Sequence, residues 1–216
     1  MINNKDMITR KDLPKDLICL NVKDTYVLPF LDVAIQVDDN YLLNSLVKSF
    51  AHSDRLIGLL MYQNGKVCSN IGCLGKIRTF IEDEDNKIVI GVRGICRFNF
   101  EDIYLDKDNI RNIVPIWDRY LDDLDVSKIK INDRFKFQNI LDSYCNNFHY
   151  DKIDYKKYTK ISDQELFNYA LDILDLDNKV KLNLLESHNF SLMLKIVIEE
   201  MELRLAEIEA SAESKH

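Results

Sequence analysis

The chain has 216 residues, 46% of them hydrophobic and 30% charged, with a net charge of −7 at neutral pH, the make-up of a soluble globular protein able to bury a core as one elongated domain or two small ones. No run approaches the roughly 20 apolar residues that cross a bilayer, and the start, Met1-Ile2-Asn3-Asn4-Lys5-Asp6, lacks the apolar stretch of a secretory leader, so a cytoplasmic protein without a membrane partner is expected. Residues 1–115 carry 15 basic and 16 acidic side chains while residues 116–216 carry 14 and 20, and an acidic second half excludes broad phosphate binding there, which needs clustered lysine and arginine.

All six glycines lie between Gly58 and Gly94, and the three prolines, Pro14, Pro29 and Pro115, precede residue 116. That confinement predicts a β-rich first half and a helical second half. In chain order, residues 1–15 read as a flexible lead-in. Leu17–Val22 reads as a buried strand. Val27–Val37 is extended, with Pro29 marking an edge or a bulge. Leu42, Leu43, Leu46, Val47 and Phe50 fall at helical spacing within Tyr41–Phe50, with Asp38 or Asp39 as cap. Leu56–Tyr62 is another strand, ended by the Asn64-Gly65 turn. Ile77–Ile81 and the run from Ile88 form a hairpin around the polar loop Glu82–Asn86.

In that run Ile88, Ile90, Val92, Cys96, Phe98 and Phe100 alternate on one face, interrupted by Gly94, with Arg93, Arg97 and Asn99 on the other. Gly91 and Gly94 mark bulges or a sharp coil. A last strand, Ile110–Trp117, closes a small, partly closed barrel over 16–117. Asp118–Lys130 reads as a linker. Beyond it, a helical bundle over 131–210 is expected. Ile131, Phe135, Ile140, Leu141, Tyr144, Cys145 and Phe148 line a helix from about 131 to 149, and the Tyr- and Lys-rich segment 150–161 is a loop. Ser162-Asp163-Gln164-Glu165 is a capping box. A short helix spans Asn178–Glu186, and a long one starts near Asn189 with Phe190, Leu194, Val197, Met201, Leu205 and Ile208 as its stripe. The fold class is α+β.

Catalytic patterns are weak. Gly65-Lys66 is followed by Val67 and Gly75-Lys76 by Ile77, so neither completes a phosphate loop, which needs Ser or Thr there. Ser127-Lys128 lies on the expected linker. Cys68 and Cys73 have a Cys-x₄-Cys spacing without a second pair or a nearby histidine, which argues for buried reduced thiols over zinc. No metal or cofactor is expected, and no catalytic residue is assigned.

Three stretches carry a resemblance: Arg55-Leu56-Ile57-Gly58, then Ile71-Gly72-Cys73-Leu74-Gly75-Lys76-Ile77, then Ile90-Gly91-Val92-Arg93-Gly94-Ile95-Cys96-Arg97-Phe98. Together they resemble the N-terminal, substrate-binding domain of Lon-type ATP-dependent proteases, and more closely the stand-alone bacterial proteins that carry this domain. The resemblance covers roughly residues 15–205. It implies a pseudo-barrel related to PUA domains followed by a helical bundle. Where the family often has an aromatic-acidic-proline-arginine-tyrosine stretch, this chain reads Gln36-Val37-Asp38-Asp39-Asn40-Tyr41 and keeps only the tyrosine.

The function so implied is non-enzymatic binding of exposed or unfolded polypeptide in a groove between barrel and bundle, lined by Pro29, Phe30, Leu31, Tyr41 and Leu59. A docked protease or chaperone is a further expected partner, with the chain as adaptor. An independent reading of the residues places Lys76, Arg78, Arg93 and Arg97 on one exposed face as a basic docking patch for acidic peptide or RNA. RNA recognition wants exposed stacking aromatics, and Phe98 and Phe100 fall on the opposite face, which disfavours RNA.

Overall fold

The structure, a computed structural model, describes residues 8–23, 25–37, 40–51, 55–82, 88–148, 150 and 161–213. The chain divides into two compact units, Met1–Val126 and Ser127–His216. Among the described residues no helix is long and apolar enough to cross a membrane.

The first unit contains β1 (Leu17–Lys23), β2 (Asp32–Val37), α1 (Asn40–Ala51), β3 (Leu56–Gln63), β4 (Lys66–Val67), β5 (Ile71–Glu82), β6 (Ile88–Asn99), β7 (Ile103–Leu105) and β8 (Arg111–Ile113). They form one sheet in the order β2-β6-β5-β3-β1-β8-β7, with β4 paired to β3. β1 and β3 run parallel, so the chain must cross over between them, and β2 and α1 lie on that crossover. The sheet curls on itself after β8, where Asn99 and Ile116 exchange backbone hydrogen bonds of 2.9 and 2.7 Å. β6 thus meets the far end of its own sheet, which makes the expected partly closed barrel.

Long strands can follow such a curl only by breaking register. The β5–β6 ladder does so twice. One break inserts Arg78 between the register pairs of Ile77 and Thr79, and the other inserts Ile95 between those of Gly94 and Cys96. Each inserted residue reverses the facing of all that follow. Ile90 and Val92 therefore pack with Leu20, Leu59, Cys73 and Ile77 in one core cluster, while Phe98 and Phe100 pack with Leu17, Leu60 and Leu74 in another. The single apolar face expected along this strand is really two. Gly94 sits at the break because a Cβ there would lie 1.9 Å from the Leu28 carbonyl oxygen. Its N–H donates to Leu31 and its carbonyl accepts from Phe30, at 2.9 and 2.8 Å, which pins the turn that contains Pro29.

Two segments expected to be loose belong to the β unit. Arg10–Asp12 forms a 3₁₀ turn capped by Thr9, and the Pro14 carbonyl accepts from Trp117 Nε1 at 3.2 Å. Asp118–Leu124 is a 3₁₀ helix with Tyr120 and Asp123 buried. Half of the expected linker is thus a lid over β6.

In the second unit, α2 (Arg134–Asn147), α3 (Asp163–Ile173), α4 (Asn178–Glu186) and α5 (Phe190–Glu213) follow one another. Each begins beside a short polar residue that accepts a first-turn N–H: Asp133 from Lys136, Ser162 from Glu165, Asp177 from Val180 and Asn189 from Leu192. Ser162 and Glu165 complete the capping box. Phe137, Leu141, Tyr144, Leu166, Ala170, Leu184, Val197 and Met201 are buried. Phe135, expected in the buried stripe, is 74% exposed; the helix turns Phe137 inward instead. Most of the expected 150–161 loop lies outside the described residues, as does most of the 82–86 hairpin loop and the Asp38 and Asp39 caps.

Candidate functional site

The sequence-derived basic patch is the first feature the structure rearranges. Cross-strand partners share a face, and Lys76 pairs with Arg93, which in turn pairs with Asp32 on β2. That row lies on the outer face, with an Arg93–Asp32 ion pair. Arg78 is exposed at its bulge. Arg97 is not with them. The Ile95 bulge turns it to the opposite face, where its side chain is 0% exposed. The 3₁₀ lid covers it. One Asp123 carboxylate accepts from the Arg97 backbone N–H at 3.0 Å, from Nε at 2.9 Å and from Nη2 at 2.8 Å. The Tyr120 ring caps the guanidinium at 4.5 Å. Arg97 is therefore a structural clamp, unavailable to any ligand.

The expected lining also separates. Leu59 is a core residue packed near Gly75, and Leu31 and Pro29 are buried as well. Phe30 is half-buried with a left-handed φ of 68°. Tyr41 falls in the first turn of α1, and its side chain lies outside the described residues. Burial takes Pro29, Leu31 and Leu59 out of contact with a solute.

What the surface does present is the arm formed by the outer ends of β5 and β6, with β2 on one side and α1 beneath. Ile81 is 58% exposed, Phe80 48% and, on α1, Val47 59%. Phe80 meets Phe50 of α1 edge-on at 6.2 Å, and the Arg55 guanidinium lies 5.7 Å from the Phe50 ring centre. On the outer face the rows run from charged to apolar: Asp32–Arg93–Lys76, then Ala34–Gly91–Thr79, then Gln36–Val89–Ile81. The middle row is low, since Gly91 has no side chain and Ala34 only a methyl. Sequence reading missed Phe80 and Ile81 as surface residues. The signal was present: two adjacent apolar residues at a strand end cannot both face a core, because neighbours point to opposite faces.

Besides its apolar packing, α1 is tied to the turn between β7 and β8 by an ionic latch. Lys48 Nζ donates to Asp106 at 2.5 Å and to Asp108 at 2.7 Å. Asp106 also accepts from the backbone N–H groups of Asp108 and Ile110 and from Asn112 Nδ2. The Lys48 hydrogen bond, with the backbone donors, holds the Asp106 carboxyl well below the usual carboxylate range, and the same contact raises Lys48. All five cysteines are free thiols. Burial pushes Cys19 and Cys73 up to about 12, so neither is a thiolate at neutral pH.

A family model described as the ATP-dependent protease La (LON) substrate-binding domain matches residues 16–202. The chain belongs to the Lon substrate-binding domain family. Among solved structures, the N-terminal domain of the Lon protease of the Mycobacterium avium complex is similar at 18% identity and a TM-score of 0.67, covering 87% of this chain and 98% of its own. A Lon N-terminal domain protein from Xanthomonas campestris is similar at 15% identity and a TM-score of 0.56, covering 88% of this chain and 97% of its own. At such identities these likenesses establish the fold. No curated protein matches the chain. The α+β reading and the family resemblance both stand. Within this Lon domain, Gln36 and Val37 end β2 and Asn40 and Tyr41 open α1.

Proposed function

We propose that this Lon-type domain is a non-catalytic module that binds exposed or unfolded polypeptide, and that the β5–β6 arm with α1 is where it does so. The observation that carries the reading is the exposure of both Phe80 and Ile81 at the outer end of β5, one on each face, with Phe80 meeting Phe50 of α1. Exposed apolar side chains grouped on a small protein mark a contact surface for another apolar group. On the outer face, two rows from Ile81, the Asp32–Arg93–Lys76 row carries two positive charges to one negative, which favours segments with acidic flanks. Binding draws on apolar contact and requires no ATP.

A cellulose-bound peptide array, probed with the purified protein and with Ile81→Glu, tests this. The wild type enriches apolar, unstructured peptides over scrambled acidic controls, and Ile81→Glu loses that enrichment while keeping its fold, because the residue is already solvent-facing. An array on which wild type and variant give the same pattern contradicts the assignment of the site.

A further inference from the structure

β2 is the end strand of the sheet, and among the described residues no strand lies beyond it. Its register with β6 runs unbroken from Asp32 to Val37. Edge strands invite pairing by any extended chain, and proteins ordinarily blunt them with lysine, proline, a bulge or extreme shortness. The far edge, β7, is only three residues long. β2 has no such defence from Val33 to Val37, a stretch of Val-Ala-Ile-Gln-Val without charge, proline, glycine or bulge.

The direction of its free backbone groups follows from two independent bonds. The Gly94 N–H donates to the Leu31 carbonyl, so that carbonyl faces β6, and with it the backbone groups of the alternate residues Val33, Ile35 and Val37. From the other side, the Ile77 N–H donates to Arg55, away from β6. Lys76 therefore bonds Arg93, and Val92 is left to bond Val33. Both routes leave Asp32, Ala34 and Gln36 presenting an N–H and a C=O outward, at the two-residue repeat of a β-strand.

We propose that β2 captures clients by β-augmentation, an extended polypeptide adding to the sheet as a further strand beside Asp32, Ala34 and Gln36. The inference rests on the polypeptide-binding reading and supplies its mode. Outward groups at strand spacing are complementary to another extended peptide backbone, and neither a helix nor a nucleic acid offers that repeat. On the inner face the added strand lies beside Val33 and Val37, half-buried residues packed against the core. The preferred client therefore has apolar side chains at every second position. Main-chain bonding is indifferent to the remaining positions, as a module serving many unfolded chains requires.

The probe is an eight-residue peptide alternating valine and threonine, with a glutamate at each end for solubility. Amide hydrogen exchange of the full chain, read by NMR with and without it, tests the mode. In the free protein the Val33, Ile35 and Val37 amides are protected and those of Asp32, Ala34 and Gln36 exchange quickly. With saturating peptide the latter three slow by ten-fold or more. Ala34→Pro removes an outward N–H and no ladder bond, and weakens peptide binding at least ten-fold. A peptide N-methylated on the edge that faces β2 binds as poorly, which keeps the test intact should Ala34→Pro misfold. Binding that Ile81→Glu abolishes, with no change in exchange at the three amides, overturns augmentation and leaves the polypeptide-binding site standing. No binding of this peptide or of any array peptide overturns both. Protection that grows with protein concentration and not with peptide shows a second copy on the edge and overturns the proposal.

Discussion

Replacing Asp123 by alanine removes the carboxylate that accepts three hydrogen bonds from a fully buried arginine. Three hydrogen bonds of 2.8–3.0 Å run from Arg97 into that one carboxylate, and the two side chains are 0% and 7% exposed. Removing one member of such a pair costs about 3–5 kcal/mol, because the remaining charge stays buried and loses its counter-charge. For a unit of this size that is a fall in Tm of about 10–20 °C. Trp117 is the sole tryptophan of the chain and packs on Phe98 with ring centres 5.4 Å apart, so its fluorescence reports unfolding of the β unit in urea. The double variant Arg97→Met with Asp123→Leu removes both charges and keeps apolar volume. It is expected to be more stable than Asp123→Leu alone, and with the two single variants Arg97→Met and Asp123→Leu it closes a cycle with coupling on the order of 2–3 kcal/mol. A cost under about 1 kcal/mol for Asp123→Ala, or additive single effects, refutes the reasoning that Arg97 is a clamped internal charge.

Other outcomes follow from equally local geometry. Gly94→Ala drives its methyl into the Leu28 carbonyl, a backbone atom 1.9 Å away, whereas at Gly91 the nearest obstacle is the rotatable Thr79 Oγ1 at 2.3 Å; thermal melts should show Gly94→Ala failing to fold or losing about 4 kcal/mol or more, and Gly91→Ala close to wild type. Asp106→Asn cuts the latch on α1. Because the folded carboxyl lies below its unfolded value of about 4, its stabilisation is fully present above that pH and is lost as pH falls through the lower folded value. Urea midpoints of wild type and Asp106→Asn should therefore differ by a constant amount from pH 5 to 8 and converge below about pH 4; a gap that widens in acid contradicts the sign. Ser162→Ala removes the capping box of α3 and is expected to cost about 1 kcal/mol in urea unfolding.

Elements set by local chemistry were legible in the chain itself. The apolar runs of β1 and β3, the Asn64-Gly65 turn with its positive φ at both residues, and the Ser162 cap each depend on neighbours in sequence. The errors share another cause. Alternation along β6 was real, but the ladder inserts Ile95, and a bulge is decided by how a sheet must curl to bring Asn99 to Ile116. Arg97 consequently changed faces. Its partner, Asp123, sits in a charged segment that composition alone marks as a linker. Phe135 and Phe137 are two positions apart on α2, and which of them turns inward depends on the helices packed beside it. The candidate site was the least legible part. Pro29, Leu31 and Leu59 looked like a lining because apolar residues near an edge are indistinguishable, in sequence, from core. Phe80 and Ile81 are exposed only because β5 runs on past its bulge at Arg78, beyond the end of the barrel.

The most direct measurement is a fluorescence-anisotropy titration of the purified chain against a labelled polypeptide held permanently unfolded by reduction and alkylation, in the absence of ATP, with the native disulfide-bonded form of the same polypeptide as control. Saturable binding of the unfolded form, unaffected by added ATP and weakened by Ile81→Glu, is what the account predicts. Equal binding of both forms, or a flat titration for the unfolded one, would contradict it.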